Sequence, residues 1–187
     1  MSSPRIIAGK AKGLRLKSPP GLSTRPITDR VKESLFNILG RDVENATFLD
    51  LFAGTGSVGI EALSRGAAFV RFIEFYPKPY QLLKENVQNS MLGDNADILK
   101  MDALHYLKST NPISFDYIYV APPQYKNLWV KTLGLLESKP NHINKDGWII
   151  VQIDPREYLP VQLDFFQEID QRRYGNTSLI FYQHPDD

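Results

Sequence analysis

Phe48-Leu49-Asp50-Leu51-Phe52-Ala53-Gly54-Thr55-Gly56-Ser57-Val58-Gly59 decides the fold. An apolar run ends in an acid, passes through a glycine-rich turn and enters a helical pattern. Strand, glycine turn and helix in that order hold a nucleotide-like ligand against bare backbone in α/β proteins. Gly54, Gly56 and Gly59 also satisfy the dinucleotide fingerprint G-x-G-x-x-G, so the glycines alone leave the ligand open. Asp50 narrows it. A carboxylate at the strand end would repel a pyrophosphate and suits a ligand with a cationic end.

Working outward, strand-like and helix-like segments alternate from Thr47. Strand patterns fall at 47–51, 68–74, 96–101, 115–121 and 148–153, with two more near 164–172 and 178–183. Helical patterns fall at 57–65, 77–90, 103–108 and 127–137. Such alternation predicts a Rossmann-like α/β fold: a seven-stranded, mostly parallel sheet with helices on both faces. The last two strands lack a helix between them and are expected to form an antiparallel hairpin turning within Arg173–Thr177. Upstream, Arg5–Ala8 and Leu14–Lys17 flank a glycine-bounded turn, predicting a β-hairpin. A helix capped by Thr28 or Asp29 follows and ends at Gly40. The expected organisation is a basic N-terminal extension over 1–40 and a ligand-binding domain over 41–187.

Charge is uneven along the chain. Residues 1–32 hold eight basic residues against one acid, +7 in a chain of net charge +1, so the remainder carries −6. A basic arm on a mildly acidic domain is the footprint of a nucleic-acid-binding protein, with Arg5, Lys10, Lys12, Arg15, Arg25 and Arg30 as candidate contacts. Cysteine is absent, which excludes a thiolate zinc site and a cysteine nucleophile. His105, His142 and His184 are scattered, so no metal is expected. No apolar run reaches the length of a membrane span, and no signal-like segment opens the chain. A cytoplasmic monomer is the expectation.

Ligands of open α/β sheets collect beyond the carboxyl ends of the strands. The first strand delivers Asp50, Phe52, Ala53, Gly54 and Gly56. The second ends at Glu74-Phe75, where an acid about 20 residues after the first glycine can accept from ribose hydroxyls. The third leads to Asp102-Ala103, suited to an adenine amino group unless Asp102 only caps the next helix. The fourth ends at Ala121-Pro122-Pro123-Gln124-Tyr125, where two prolines fix φ and present carbonyls without N–H groups. Four strand ends bearing what an adenosyl group needs point to S-adenosylmethionine. The bare glycine fingerprint leaves a nicotinamide oxidoreductase as a rival.

These residues resemble a known family. Asp50–Gly56 is similar to motif I of class I S-adenosylmethionine-dependent methyltransferases, and Ala121-Pro122-Pro123-Gln124 to the Asn/Asp-Pro-Pro-Tyr/Phe motif of amino-methyltransferases. Arg5-Ile6-Ile7-Ala8-Gly9, the stretch Arg25–Leu39 and Tyr174-Gly175-Asn176-Thr177 resemble the RsmD family. The resemblance implies methylation of guanine N2 in small-subunit (16S) ribosomal RNA, with the ribosomal RNA or the small subunit as partner. It also implies a cofactor site on Asp50, Phe52, Gly54, Gly56, Glu74, Asp102 and Ala103, a target-base corner at Ala121–Gln124, and Arg25 at the mouth of the site. The chain departs from the pattern at four places. Ala121 stands for Asp or Asn, Gln124 for an aromatic with Tyr125 one place later, Ile27 for threonine and Lys32 for arginine. Ala121 and Gln124 keep two alternatives in view: a weakened or non-catalytic RNA-binding relative, and an enzyme acting on amines of DNA bases.

Overall fold

In a computed structural model describing residues 3–19, 27–108 and 113–185, Thr47–Asp50 forms an interior strand, β1. It pairs in parallel with β2 (Phe69–Ile73) on one side and β4 (Phe115–Val120) on the other. β3 (Ala96–Leu99), β5 (Ile143–Ile153), β6 (Gln167–Tyr174) and β7 (Thr177–Gln183) complete a seven-stranded sheet in the order β3-β2-β1-β4-β5-β7-β6. β1 to β5 are parallel; β7 runs antiparallel to β5, and β6 antiparallel to β7. The hairpin turns at Gly175, φ +59°, after Tyr174 pairs with Thr177.

Alternate strand residues feed two cores, one on each face. Phe48, Val70, Phe72, Tyr119 and Ile150 pack with α1 (Asp29–Leu39), α2 (Ser57–Ser64) and α3 (Pro77–Asn89). Leu49, Ile73, Ile118, Val120 and Val151 pack with α4 (Ala103–Leu107) and α5 (Leu128–Ser138). Three helix starts have a local cause. Thr28 Oγ1 accepts from Val31 N, Pro77 opens α3 where an N–H would lack a partner, and Asp102 Oδ1 accepts from His105 N.

β5 begins at Ile143, five residues ahead of the expected 148. Exposed Asn144, Lys145 and Asp146 hide the strand in the sequence, and its register against β4 shifts between Phe115 and Tyr117. Gly147 makes the irregularity possible: a Cβ there would lie 2.8 Å from the Asp116 carbonyl oxygen.

The N-terminal arms approach as expected, but as a tight loop with one bridged pair, Arg5–Arg15, in place of a two-stranded ribbon. Ile6 N donates to Leu14 O and Leu16 N to Pro4 O. The backbone between them turns to α2 instead. Ile7 N and Ala8 N donate to Glu61, and Lys10 N to Ser64 O. Gly9 permits the contact, since a Cβ would lie 1.7 Å from Ser64 O. Ile6, Leu16 and the α1 residues Leu35 and Phe36 are buried in the same core as β1 and β2.

Candidate active site

The carboxyl ends of β1, β2, β4 and β5 open on two adjoining clefts. Phe52, Gly54, Thr55, Ala121 and Pro123 line both and form the wall between them. The wider cleft adds Glu74, Phe75, Met101, Asp102 and Ala103; the narrower adds Asp50, Ser57, Tyr119, Pro122, Gln124 and Gln152. Of the residues singled out at four strand ends, all but Gly56 and Tyr125 line these two clefts.

The glycine loop divides its labour. Gly54 has φ +56°, and a Cβ there would meet nothing within 4 Å, so it leaves open space toward both clefts. Gly56 has φ +87° and abuts Leu83 and Ile60. Gly59 answers to packing alone, because its Cβ would stand 2.2 Å from the Phe72 ring. Ala53 N donates to Ile73 O at 3.0 Å, tying the loop to β2.

Asp50 is buried. Its Oδ2 accepts from Gly59 N at 3.2 Å, while Oδ1 is buried without a partner among the described residues. Burial pushes its carboxyl up to about 7, opposed by the Gly59 N–H and aided by Glu74. Burial also raises the Glu74 carboxyl, although Gly54 N and Tyr76 N donate to its two oxygens at 2.8 and 2.7 Å. Two carboxyls in a dry site, one with an orphaned oxygen, form a place where a cation would relieve a real cost. Asp102 does cap α4 through Oδ1, and it lines the wider cleft as well.

At the end of β4, Ala121 to Gln124 face the clefts, but Tyr125 lines neither. Tyr125 has φ +60°; its N donates to Glu157 Oε2 at 2.6 Å and its hydroxyl to Asp154 Oδ2 at 3.2 Å. Arg156 Nη2 donates to the same hydroxyl at 2.6 Å and to Asp154 at 2.8 Å, which holds the Asp154 carboxyl well below the usual range. The exposed Tyr125 ring is thereby fixed at the rim, between Gln124 of one cleft and Lys126 of the other.

Arg5, Lys10, Lys12, Arg15 and Arg30 are exposed; Arg25 lies outside the described residues. Lys32, counted with the basic arm in the sequence, is fully buried. Its Nζ donates to Arg5 O at 2.6 Å and Ser57 Oγ at 3.0 Å. Burial lowers its pKa, with Glu61 opposing. Asn86 was not singled out from the sequence, yet it ties α3 to both the arm and the glycine loop. It donates to Lys17 O and Thr55 O and accepts from Lys17 N. The available signal was a polar residue between Leu83 and Val87 on a buried helical stripe.

Residues 4–183 match the family described as conserved hypothetical protein 95. Over 182 residues the chain is 39% identical to the ribosomal RNA small subunit methyltransferase D of Haemophilus influenzae, covering 96% of this chain and 93% of that protein.

The chain belongs to the RsmD family.

The Escherichia coli member named ribosomal RNA small subunit methyltransferase D is 37% identical over 145 residues, covering 78% of this chain and 69% of that one. The solved structure of yhhF from Escherichia coli superposes with a TM-score of 0.85 at 31% identity, covering 96% and 97% of the two chains. An RNA methyltransferase from Salinibacter ruber, solved in complex with S-adenosyl-L-homocysteine, shares the fold alone. Its TM-score is 0.66 at 14% identity, over 87% of this chain and 95% of that one. The RsmD fold here is thus that of class I methyltransferases. Among the described residues there is no group of three or more His, Asp or Glu able to hold a metal, and no helix long and apolar enough to cross a membrane.

Proposed function

We propose that the chain transfers a methyl group from S-adenosylmethionine to an exocyclic amine of small-subunit ribosomal RNA, the N2 of a guanine, acting as a cytoplasmic monomer. The observation that carries this reading is the orphaned, buried Asp50 oxygen beside the open Gly54 backbone, in the same cleft as the Pro122-Pro123 corner. The residues fit the cofactor. Asp50 favours its cationic end, Glu74 suits ribose hydroxyls, Gly54 leaves room for close approach, and Phe75, Met101 and Ala103 with Asp102 suit a purine. When bound, the cofactor would supply an electrophilic methyl on a sulfonium, available to an amine nitrogen that gives up one proton to solvent.

The protein's part is positioning. Pro122 and Pro123 carry no N–H, so the backbone at the corner offers carbonyl acceptors to an amine. A base extruded from its helix reaches that corner, with the fixed Tyr125 ring at the rim to stack on. Exposed Arg5, Lys10, Lys12, Arg15 and Arg30 supply phosphate contacts, which position RNA without reading its sequence. Ala121 favours a second reading, a non-catalytic RNA-binding relative, because it offers the amine no side-chain acceptor. Mass spectrometry of small-subunit RNA from a strain lacking the gene tests the proposal. Loss of one N2-methylguanosine, restored by the gene, is expected; an unchanged modification pattern would contradict it.

A further inference from the structure

Ala121 itself brings no polar side chain to the target corner, and beside it the neighbouring strand supplies one. β4 and β5 pair in parallel with Tyr119 opposite Ile150 and Val120 opposite Val151. One step further along that register sets Gln152 beside Ala121. Partners across a sheet share a face, and residues two apart return to it. Tyr119 and Ile150 accordingly pack in one core, while Val120 and Val151 pack in the other. The Tyr119 hydroxyl donates to Gln152 Oε1 at 2.5 Å, and both side chains line the narrower cleft with Ala121 and Pro122.

That hydrogen bond orients the carboxamide. Tyr119 is buried, and burial with the nearby Asp50 keeps its phenol protonated. With the phenol as donor, the amide oxygen faces Tyr119. The second lone pair of Oε1 and the Nε2 hydrogens then remain for a ligand in the cleft.

We propose that Gln152 contacts the target base, accepting from its exocyclic amine through Oε1 and donating from Nε2 to the adjacent ring nitrogen. This rests on the methyltransferase reading above. A carboxamide is the two-point complement of an amine beside a ring acceptor, the pairing that amide side chains make with base edges. In guanine those atoms are N2 and N3. A hypoxanthine base, which lacks the amine, loses half of the contact. Accepting one amine hydrogen also fixes the rotation of the amine, and so the direction of its lone pair.

The test uses the full chain, labelled S-adenosylmethionine and small subunits from cells lacking the gene. Gln152→Ala and Gln152→Glu should each lower kcat/KM about tenfold or more, mostly in kcat, the scale of one lost hydrogen bond to a polarised amine. Calorimetric affinity for S-adenosylhomocysteine and filter-binding affinity for the subunits should stay within about twofold, since phosphate contacts dominate binding. Gln152→Glu keeps an acceptor for Tyr119 but loses the Nε2 donor, so it separates base contact from support of Tyr119. Ala121→Asn added to Gln152→Ala places an amide next door and should recover at least about a third of the lost activity on the same scale. The inference is overturned if Gln152→Ala matches the wild type, if Gln152→Glu alone is fully active, or if activity and cofactor affinity fall together. Wild-type protein that binds S-adenosylhomocysteine and subunits but transfers nothing would contradict the methyltransferase reading itself, and this inference with it.

Discussion

Lys32 Nζ lies 3.5 Å from Glu61 Oε2, and both side chains are fully buried. Glu61 also accepts from Ile7 N and Ala8 N and pairs with Arg65, while Lys32 reaches Ser57 at the start of α2. One ion pair thus fastens the basic arm to the helix that follows the glycine loop. A buried charge left wholly uncompensated costs about 3–5 kcal/mol, and Glu61 without Lys32 would keep Arg65 and two backbone N–H groups, so the cost here lies at or below the low end of that range. Lys32→Ala should lower the unfolding free energy by up to about 3 kcal/mol, read from the denaturant midpoint at unchanged slope. Arg30→Ala, exposed on the same helix, should stay within about 0.5 kcal/mol.

Gly54 and Gly59 should respond to alanine for different reasons. At Gly59 the new methyl meets the Phe72 ring at 2.2 Å, an overpacking expected to destabilise by about 1–3 kcal/mol or more. At Gly54 the methyl enters open space, and only the backbone cost of φ +56° applies, about 1–2 kcal/mol. Calorimetry with S-adenosylhomocysteine should show the larger affinity loss for Gly54→Ala, measured on protein still folded.

Asp50 makes a pH prediction with a definite sign. Its folded carboxyl is pushed up to about 7, above the ordinary 3.8, so between those values the folded state holds a proton that the unfolded state has released. Stability from this group therefore falls as pH rises through that window and levels off above it. Asp50→Asn removes the effect. Its melting temperature relative to wild type should rise from pH 5 to pH 8, while its affinity for S-adenosylhomocysteine drops. Wild-type affinity should strengthen as pH rises through about 7, because the carboxylate is the form that meets a cation.

The arm makes a salt prediction. Arg5 and Arg15 are backbone bridge partners, both exposed, with Arg5 Nε paired to the part-exposed Asp29 Oδ2 at 2.8 Å. Replacing either by alanine should weaken RNA binding and reduce the slope of log affinity against log salt by about 0.7–0.9, the contribution of one phosphate contact. Filter binding from low to moderate salt measures it.

Much of this molecule is legible in its sequence because the deciding signals are local. Alternating apolar segments give the sheet and its two helical layers, and the glycine loop with Asp50, Glu74, Asp102 and the proline pair marks the strand ends that converge. What escapes depends on distant contacts. Asn86 meets Lys17 and Lys32 meets Glu61 across long stretches of chain, and neither partner can be read from the helix that carries the residue. The early start of β5 is masked by three exposed polar residues. The tether on Tyr125 depends on a left-handed backbone at that residue and on Asp154 and Arg156 from the end of β5, neither visible in a motif.

The most direct measurement is transfer of labelled methyl from S-adenosylmethionine to small ribosomal subunits from a strain lacking the gene, with the RNA then digested to nucleosides. The expected result is label in N2-methylguanosine, at one site, and none with Asp50→Asn. Label in another nucleoside would contradict the guanine assignment. Absence of label from wild-type protein that binds S-adenosylhomocysteine would contradict the enzyme.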